Sequence, residues 1–262
     1  MKIQLIRHAT LWLEYAGMNI LVDPMLMDPE EMPAFPNTPN DLRNPRVALP
    51  ETETDYTNPD LVIVTHTHID HWDAVAAERL RKDVPLLCQP GDENIFIEAG
   101  FTSVHPVDEK YEFHSVRFAR TSGQHGTGEI AERMGRVSGF VLEADAEPVS
   151  YIAGDTIWCE EPAEAIERYQ PEVIVVNAGG ARFTQGDPIT MDGSDVAAVK
   201  RHASDAHVIA VHMDAINHCM MTRLDLASYL ASEQLDGQVL IPRDGESFVF
   251  DSKSELGKDP LN

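Results

Sequence analysis

The amino-acid sequence predicts an α/β protein: one domain containing two sheets, with helices packed outside them. Three observations carry that expectation. Short apolar runs with strand texture crowd the first half, strand-like and helix-like runs alternate in the second, and no linker divides the two. At 262 residues, 43% of them hydrophobic, the chain can bury a sizeable core. The domain is expected to span residues 1–262, with a loop insertion at about 24–59.

The elements follow in order. "KIQLIR" and "TLWLEYAGMNILVDP" read as strands, the second folding back at Ala16-Gly17 in a hairpin. From Pro24 to Pro59 the texture changes. This stretch holds eight of the 17 prolines, with Asn, Asp and Thr between them and neither helical nor strand period. A loop of that length inside a domain often serves as a lid or binding loop, and a passive surface insertion is an equal reading. The apolar run Leu61–Val64 comes next, then a helix near Ala74–Arg81, a strand at Leu86–Cys88 and a helix around Asp92–Ala99 ended by Gly100. "YEFHSVRFART" alternates as one half-buried strand, and "RVSGFVLEA" and "PVSYIAGD" continue in the same way. The remainder reads as a helix from Glu161, strand "EVIVVN", a helix from Asp192, strand "HVIAVH", a helix from Thr222, and strands "QVLIP" and "SFVFD".

Composition excludes several classes. A net charge of -24 argues against a nucleic-acid binder, because neutralising phosphates needs a basic surface, and it disfavours anionic membranes for the same reason. Arg7, His8 and Glu14 interrupt the opening stretch, so it lacks the apolar core of a signal peptide. No run approaches the roughly 20 apolar residues that cross a bilayer. The expected setting is cytoplasmic. Cys88, Cys159 and Cys219 are widely spaced and sit beside apolar residues, so they read as buried thiols rather than a disulfide framework. A homo-oligomer is compatible with the sequence, which does not decide it.

"LVIVTHTHIDHWD" carries the chemistry. A buried strand runs straight into His66, His68, Asp70, His71 and Asp73. Three other apolar runs also end on a ligand-type side chain: "YEFHSVRFART" leads into His125, "VSYIAGD" ends on Asp155 and "HVIAVH" ends on His212. Ligands bind at the carboxyl ends of strands in α/β sheets, because the strand fixes position while the loop exposes the side chain. Imidazole and carboxylate suit zinc, manganese or iron(II), so two divalent metal ions are expected, zinc first, with manganese or iron(II) as alternatives. Such a pair can hold a hydroxide between them and lower the pKa of water from about 15.7 towards about 7. Ordinary turn or core roles for these histidines and aspartates are the competing reading, and a polar turn explains three histidines and an aspartate in six residues poorly.

"THTHIDH" matches the H-x-H-x-D-H signature of the metallo-β-lactamase-fold hydrolases, and "QHG", "AGDT" and "VHMD" fall in the order that family uses. The opening "RHATLWLEYAGMNILVDP" resembles a branch that includes ascorbate-6-phosphate lactonase-like proteins. The resemblance covers Lys2 to about Phe250. It implies a four-layer αββα sandwich, with His66, His68 and His125 forming a first metal site, Asp70, His71 and His212 a second, and Asp155 bridging them. Asp70 and Asp155 are accordingly expected in the catalytic set. His8, Asn217 and His218 are candidates for substrate contact, and Asp73 reads as a helix cap or as support for a liganding imidazole. His114 competes with His125 but lies within the predicted strand.

The expected function is metal-dependent hydrolysis of a small intracellular substrate: a lactone, an ester or a phosphorylated metabolite. The alternatives are a phosphodiesterase on nucleotide or phospholipid-type substrates, and a non-catalytic metal- or ligand-binding protein of the same fold. Oxygen-reducing members of the family carry a glutamate where this chain has His68, which disfavours a redox role.

Overall fold

The computed structural model describes residues 1–251. Its first half contributes β1 (Lys2–Arg7), β2 (Thr10–Tyr15), β3 (Met18–Val22), β4 (Leu61–Ile63), α1 (Ala74–Arg79), β5 (Leu86–Cys88), α2 (Glu93–Glu98) and β6 (Val104–Pro106). The second half contributes β7 (Lys110–Phe113), β8 (Val116–Ser122), α3 (Gly128–Met134), β9 (Ser138–Glu143), β10 (Ser150–Ile152) and α4 (Glu160–Tyr169). It continues with β11 (Val173–Asn177), α5 (Gly193–His202), β12 (His207–Val211), α6 (Arg223–Ser232), β13 (Val239–Leu240) and β14 (Ser247–Val249).

Two seven-stranded sheets result, ordered β14-β1-β2-β3-β4-β5-β6 and β13-β12-β11-β10-β9-β8-β7. Each is mixed: β3 to β6 pair in parallel, as do β10 to β13, while β1–β2–β3 and β7–β8–β9–β10 are antiparallel. The inner parallel strands are covered on both faces and so read as unbroken apolar runs; all five residues of β11 are buried. Within β11, Val173 and Val175 point into the layer between the sheets, where they join Leu13, Ile63, Phe118, Phe140 and Ile209. Ile174 and Val176 point the other way, onto Ile166 of α4, Val196 and Val199 of α5, and Leu226 of α6. On the outer face of the first sheet Val62, Leu86 and Trp12 meet Ala76 of α1, Leu80 just past its end and Phe96 of α2. The layers are therefore αββα, as the resemblance implied.

Local chemistry sets the helix ends. Asp73 caps α1 by accepting from the Ala76 amide, Asp192 caps α5, and Thr222 forms a capping box with Asp225 at the start of α6. One expectation is corrected. "YEFHSVRFART" is not a single strand but a hairpin, β7 and β8, which turns at His114 with φ 52°. Alternation continued through a turn that carries neither glycine nor proline, so nothing in the pattern marked it. α3 and β6 were also not anticipated; α3 has no buried residue and hence no apolar stripe to see.

Topology places the site. In the first sheet β1, β3 and β4 run in one direction; in the second, β8, β10, β11 and β12 do. Their carboxyl ends carry His8, Asp23, His66, His125, Asp155, Asn177 and His212. The loop after β3 is tied down by the fully buried Arg7, whose guanidinium donates to the carbonyls of Met25, Met27 and Val47.

Candidate metal centre

The side chains that follow these strands converge. Nε2 of His66 lies 3.0 Å from Nδ1 of His68, and His125 completes a group whose ligand atoms all lie within 4.8 Å of one another. A second such group comprises Asp70, His71, His212 and His8, with the Nε2 atoms of His71 and His212 3.2 Å apart. Asp155 stands between the groups. Its Oδ2 is 3.4 Å from His125 Nε2 and 3.3 Å from His71 Nε2, while Oδ1 is 3.3 Å from His212 Nε2. His66, His71 and Asp155 form a third overlapping set. The structure thus brings together all seven residues read as ligands.

Backbone geometry aims them. Gly154, at φ +71°, lets the chain turn inward before Asp155; a Cβ there would meet the Ser138 carbonyl oxygen at 2.5 Å. His8, Asp23 and His212 hold φ of 60°, 44° and 67°, a conformation that non-glycine residues adopt only where surrounding structure enforces it. For His212 and His8 the enforcement includes a mutual contact, the His212 amide donating to the His8 carbonyl at 2.9 Å.

Behind the cluster, the far nitrogens of the imidazoles are held. Asp23 Oδ2 sits 2.9 Å from Nδ1 of His71 and accepts from the Thr65 hydroxyl at 2.7 Å. Its Oδ1 accepts from the Thr65 amide. Because the Thr65 hydroxyl donates to Asp23, its lone pair faces Nδ1 of His66, 3.1 Å away. Nδ1 of His125 is 2.7 Å from the Ile189 carbonyl, and Cys219 Sγ is 3.5 Å from Nδ1 of His212. Each partnership with an oxygen acceptor places the proton on Nδ1 and leaves the Nε2 lone pair turned to the cluster, the arrangement a metal-binding histidine needs. Asn177 donates to Asp155 Oδ1 at 2.6 Å. Nothing in the sequence marks Asp23, Thr65 or Asn177, and Cys219 reads there only as a buried thiol.

The electrostatics favour a cation. Burial pushes the Asp155 carboxyl up, but His212, His71 and His125 around it reverse this and hold it well below the ordinary carboxylate range; His212 and His8 do the same for Asp70. His66 and His125 are pushed down, chiefly by burial. His71 goes the other way. Although burial disfavours its charge, Asp155 and Asp23 raise its affinity for a proton well above normal. A buried point between two carboxylates that demands positive charge, flanked by the neutral imidazoles of His66 and His125, fits divalent transition metals.

A cavity of about 310 Å³ opens onto the cluster. His68, Asp70, His125 and Asp155 line its floor; Phe35, Pro36, Ile69, Met134, Phe183 and Ile189 form its walls, and His218 also faces it. Phe35 and Pro36 come from the proline-rich insertion. Two expected substrate contacts are corrected. His8 is fully buried behind the cluster, tilted against His212 with ring centroids 3.6 Å apart, its Nε2 3.1 Å from Asp70 Oδ2. Asn217 has its amide wholly engaged: Oδ1 accepts from the Phe35 amide and Asn44 Nδ2, and Nδ2 donates to Thr38 Oγ1 and the Asn40 carbonyl. It anchors the insertion instead. Asp73 is a helix cap that also accepts from the Met27 amide.

Comparison with known proteins agrees with this geometry. A family model for the β-lactamase superfamily domain matches residues 18–213. The chain belongs to that superfamily. Within it, the UPF0173 protein YddR of Bacillus subtilis (strain 168) is 36% identical over 254 residues, covering 95% of this chain and 100% of YddR. A UPF0173 metal-dependent hydrolase of Azorhizobium caulinodans is 27% identical and covers 95% of this chain and 99% of its own length. This superfamily member is thus a metal-dependent hydrolase of the UPF0173 family. Among solved structures, isothiocyanate hydrolase from Delia radicum gut bacteria superposes with TM-score 0.91 at 35% identity, covering 96% of this chain and 100% of that one. A possible metal-dependent hydrolase from Veillonella parvula DSM 2008 gives TM-score 0.92 at 32% identity, with 95% and 99% covered. The names of these four do not include an ascorbate-6-phosphate lactonase. No helix among the described residues is long and apolar enough to cross a membrane.

Proposed function

We propose that this UPF0173 protein hydrolyses a small, uncharged, largely apolar molecule at an electrophilic carbon, with an organic isothiocyanate the first candidate and an ester or lactone next. The observation that carries this reading is the cavity: apolar walls over a His/Asp floor, with no lysine or arginine among the described residues that line it. A phosphate group would enter such a site without a cationic side chain to meet it, in a chain of net charge -24. That weighs against the phosphorylated-metabolite and phosphodiester readings. The volume lies at the lower end of the about 300–1,000 Å³ typical of ligand pockets, which suits a small molecule. The isothiocyanate hydrolase neighbour supports the same substrate class.

In this reading His66, His68 and His125 would hold one divalent ion, Asp70, His71 and His212 a second, and Asp155 would face both. Such ions supply a nucleophilic hydroxide at neutral pH and stabilise negative charge that develops on the substrate. The protein does the rest. Asp70 and Asp155 hold their charge and line the floor, which keeps the base of the cavity anionic. Phe35, Phe183 and Ile189 seat the apolar group and exclude bulk water. Overall, one water adds its oxygen to the carbon: in an ester or lactone the departing alkoxy oxygen takes the C–O electron pair and one water proton. An isothiocyanate instead takes water across C=N to give a thiocarbamic acid, and the second water proton reaches nitrogen as C–N breaks to release amine and carbonyl sulfide.

The test is a panel assayed with zinc-, manganese- or iron(II)-loaded protein: benzyl isothiocyanate, p-nitrophenyl acetate, δ-valerolactone and bis(p-nitrophenyl) phosphate. Turnover should favour the neutral carbon electrophiles and vanish on chelation and in His68→Ala. Preferential cleavage of the phosphodiester would overturn the assignment.

A further inference from the structure

His218 is the polar side chain facing the cavity that belongs to neither ligand group. It is 7% exposed. Its ring is held between two aromatic walls, Phe35 edge-on at 4.9 Å and 87°, and Phe183 near-parallel at 6.4 Å and 23°. The backbone beneath is fixed as well. The His218 carbonyl accepts from the Arg182 amide, Asn217 before it is bound to Asn44 through its own amide, and Cys219 after it touches His212. This is a rigidly mounted imidazole.

Yet its nitrogens have no protein partner among the described residues. Nδ1 is buried with nothing to bond, and Nε2 makes no hydrogen bond either. Burial pushes the ring down to about 4, with Asp70 opposing and His212 adding to the shift, so at neutral pH it carries one proton for two nitrogens. An orphaned buried N–H is the rarer and costlier arrangement compared with an unsatisfied acceptor. The proton therefore belongs on Nε2, the nitrogen that is not sealed off, with the Nδ1 lone pair left in the wall.

We propose that His218 Nε2–H is the specificity-determining donor of this cavity, bonding the one polar heteroatom (nitrogen, oxygen or sulfur) next to the reactive carbon of an otherwise apolar substrate. The inference rests on the reading of the cavity as the substrate site. It explains how apolar walls can position a molecule whose only handle is one acceptor. A ligand lacking an acceptor beside the reactive carbon leaves the N–H unpaired, and a charged one gains nothing from the walls.

The test uses zinc-loaded full chain and two variants, His218→Phe, which keeps the aromatic contacts without a donor, and His218→Gln, which restores an N–H. Calorimetric binding of phenylacetamide, a neutral arylalkyl amide, needs no turnover. Binding should weaken about tenfold or more in His218→Phe and largely recover in His218→Gln, with zinc content equal in all three. In kinetics with benzyl isothiocyanate, kcat/KM should follow the same order. Equal binding by native and His218→Phe protein, or no binding to the native chain, would overturn the inference. His218-dependent binding without hydrolysis of anything in the panel would sink the proposed substrate class and leave this inference standing. Hydrolysis with kcat/KM equal in native and His218→Phe protein would do the reverse.

Discussion

Asp23→Asn replaces a carboxylate that no substrate touches and should nevertheless weaken metal binding. Asp23 receives the Thr65 amide and hydroxyl, each at 2.7 Å, and faces Nδ1 of His71 at 2.9 Å. Asparagine has nearly the same shape but one acceptor fewer. If its oxygen takes the Thr65 amide, its NH2 must face His71 Nδ1, where two donors would oppose each other. The conflict is relieved when His71 moves its proton to Nε2, the nitrogen 3.2 Å from His212 Nε2 within the cluster. A protonated Nε2 cannot ligate a metal. The Thr65 hydroxyl must also turn to accept from the new NH2, which disturbs its contact with His66. Loss of such outer partners typically costs about 10–100-fold in metal affinity, or about 1.4–2.7 kcal/mol. Zinc affinity is measured by competition with a chromophoric chelator, and circular dichroism checks the fold. We expect a fall of that size for the ion facing His71, with native secondary structure. Unchanged affinity at both sites would refute the proton placement argued here.

Other perturbations have equally definite expectations. Asn217→Ala removes four side-chain hydrogen bonds to the insertion and should cost about 3 kcal/mol; at about 2–4 °C per kcal/mol this is a large drop in Tm, read by calorimetry, with zinc content retained. Gly154→Ala drives a Cβ to 2.5 Å from the Ser138 carbonyl at positive φ, so the variant should lose soluble yield or metal before any other property changes. Phe140→Ala in the layer between the sheets should cost about 3–5 kcal/mol in denaturant unfolding. A midpoint within error of the native chain in that last case would contradict the packing described.

Much of this was legible in the sequence because it is local. Asp73, Asp192 and Thr222 lie where helices were expected to start, and each caps one. The buried parallel strands announced themselves as apolar runs, and "THTHIDH" put four ligand-type residues within a few positions of one another. What was hidden depends on pairing. Asp23 reads as one aspartate in "LVDP" until β3 lies parallel to β4, which sets the Asp23 amide on the Ile63 carbonyl and its carboxylate on Thr65. No single sequence shows that register. His8 follows a strand and resembles a site-lining position of the lactonase-like branch, and Asn217 comes shortly after His212, yet burial and hydrogen bonding give both to the framework. The cavity wall was the least visible part. Phe35 and Pro36 enter from an insertion without periodicity, and Phe183 and Ile189 enter from the loop between β11 and α5.

The central proposal is that two ligand groups, with Asp155 between them, would each bind a divalent ion. It is tested most directly by elemental analysis of metal per chain after zinc reconstitution, for the native protein, His68→Ala and His212→Ala. The account predicts about two equivalents in the native chain and about one in each variant. No metal above background, or two equivalents retained in both variants, would contradict it.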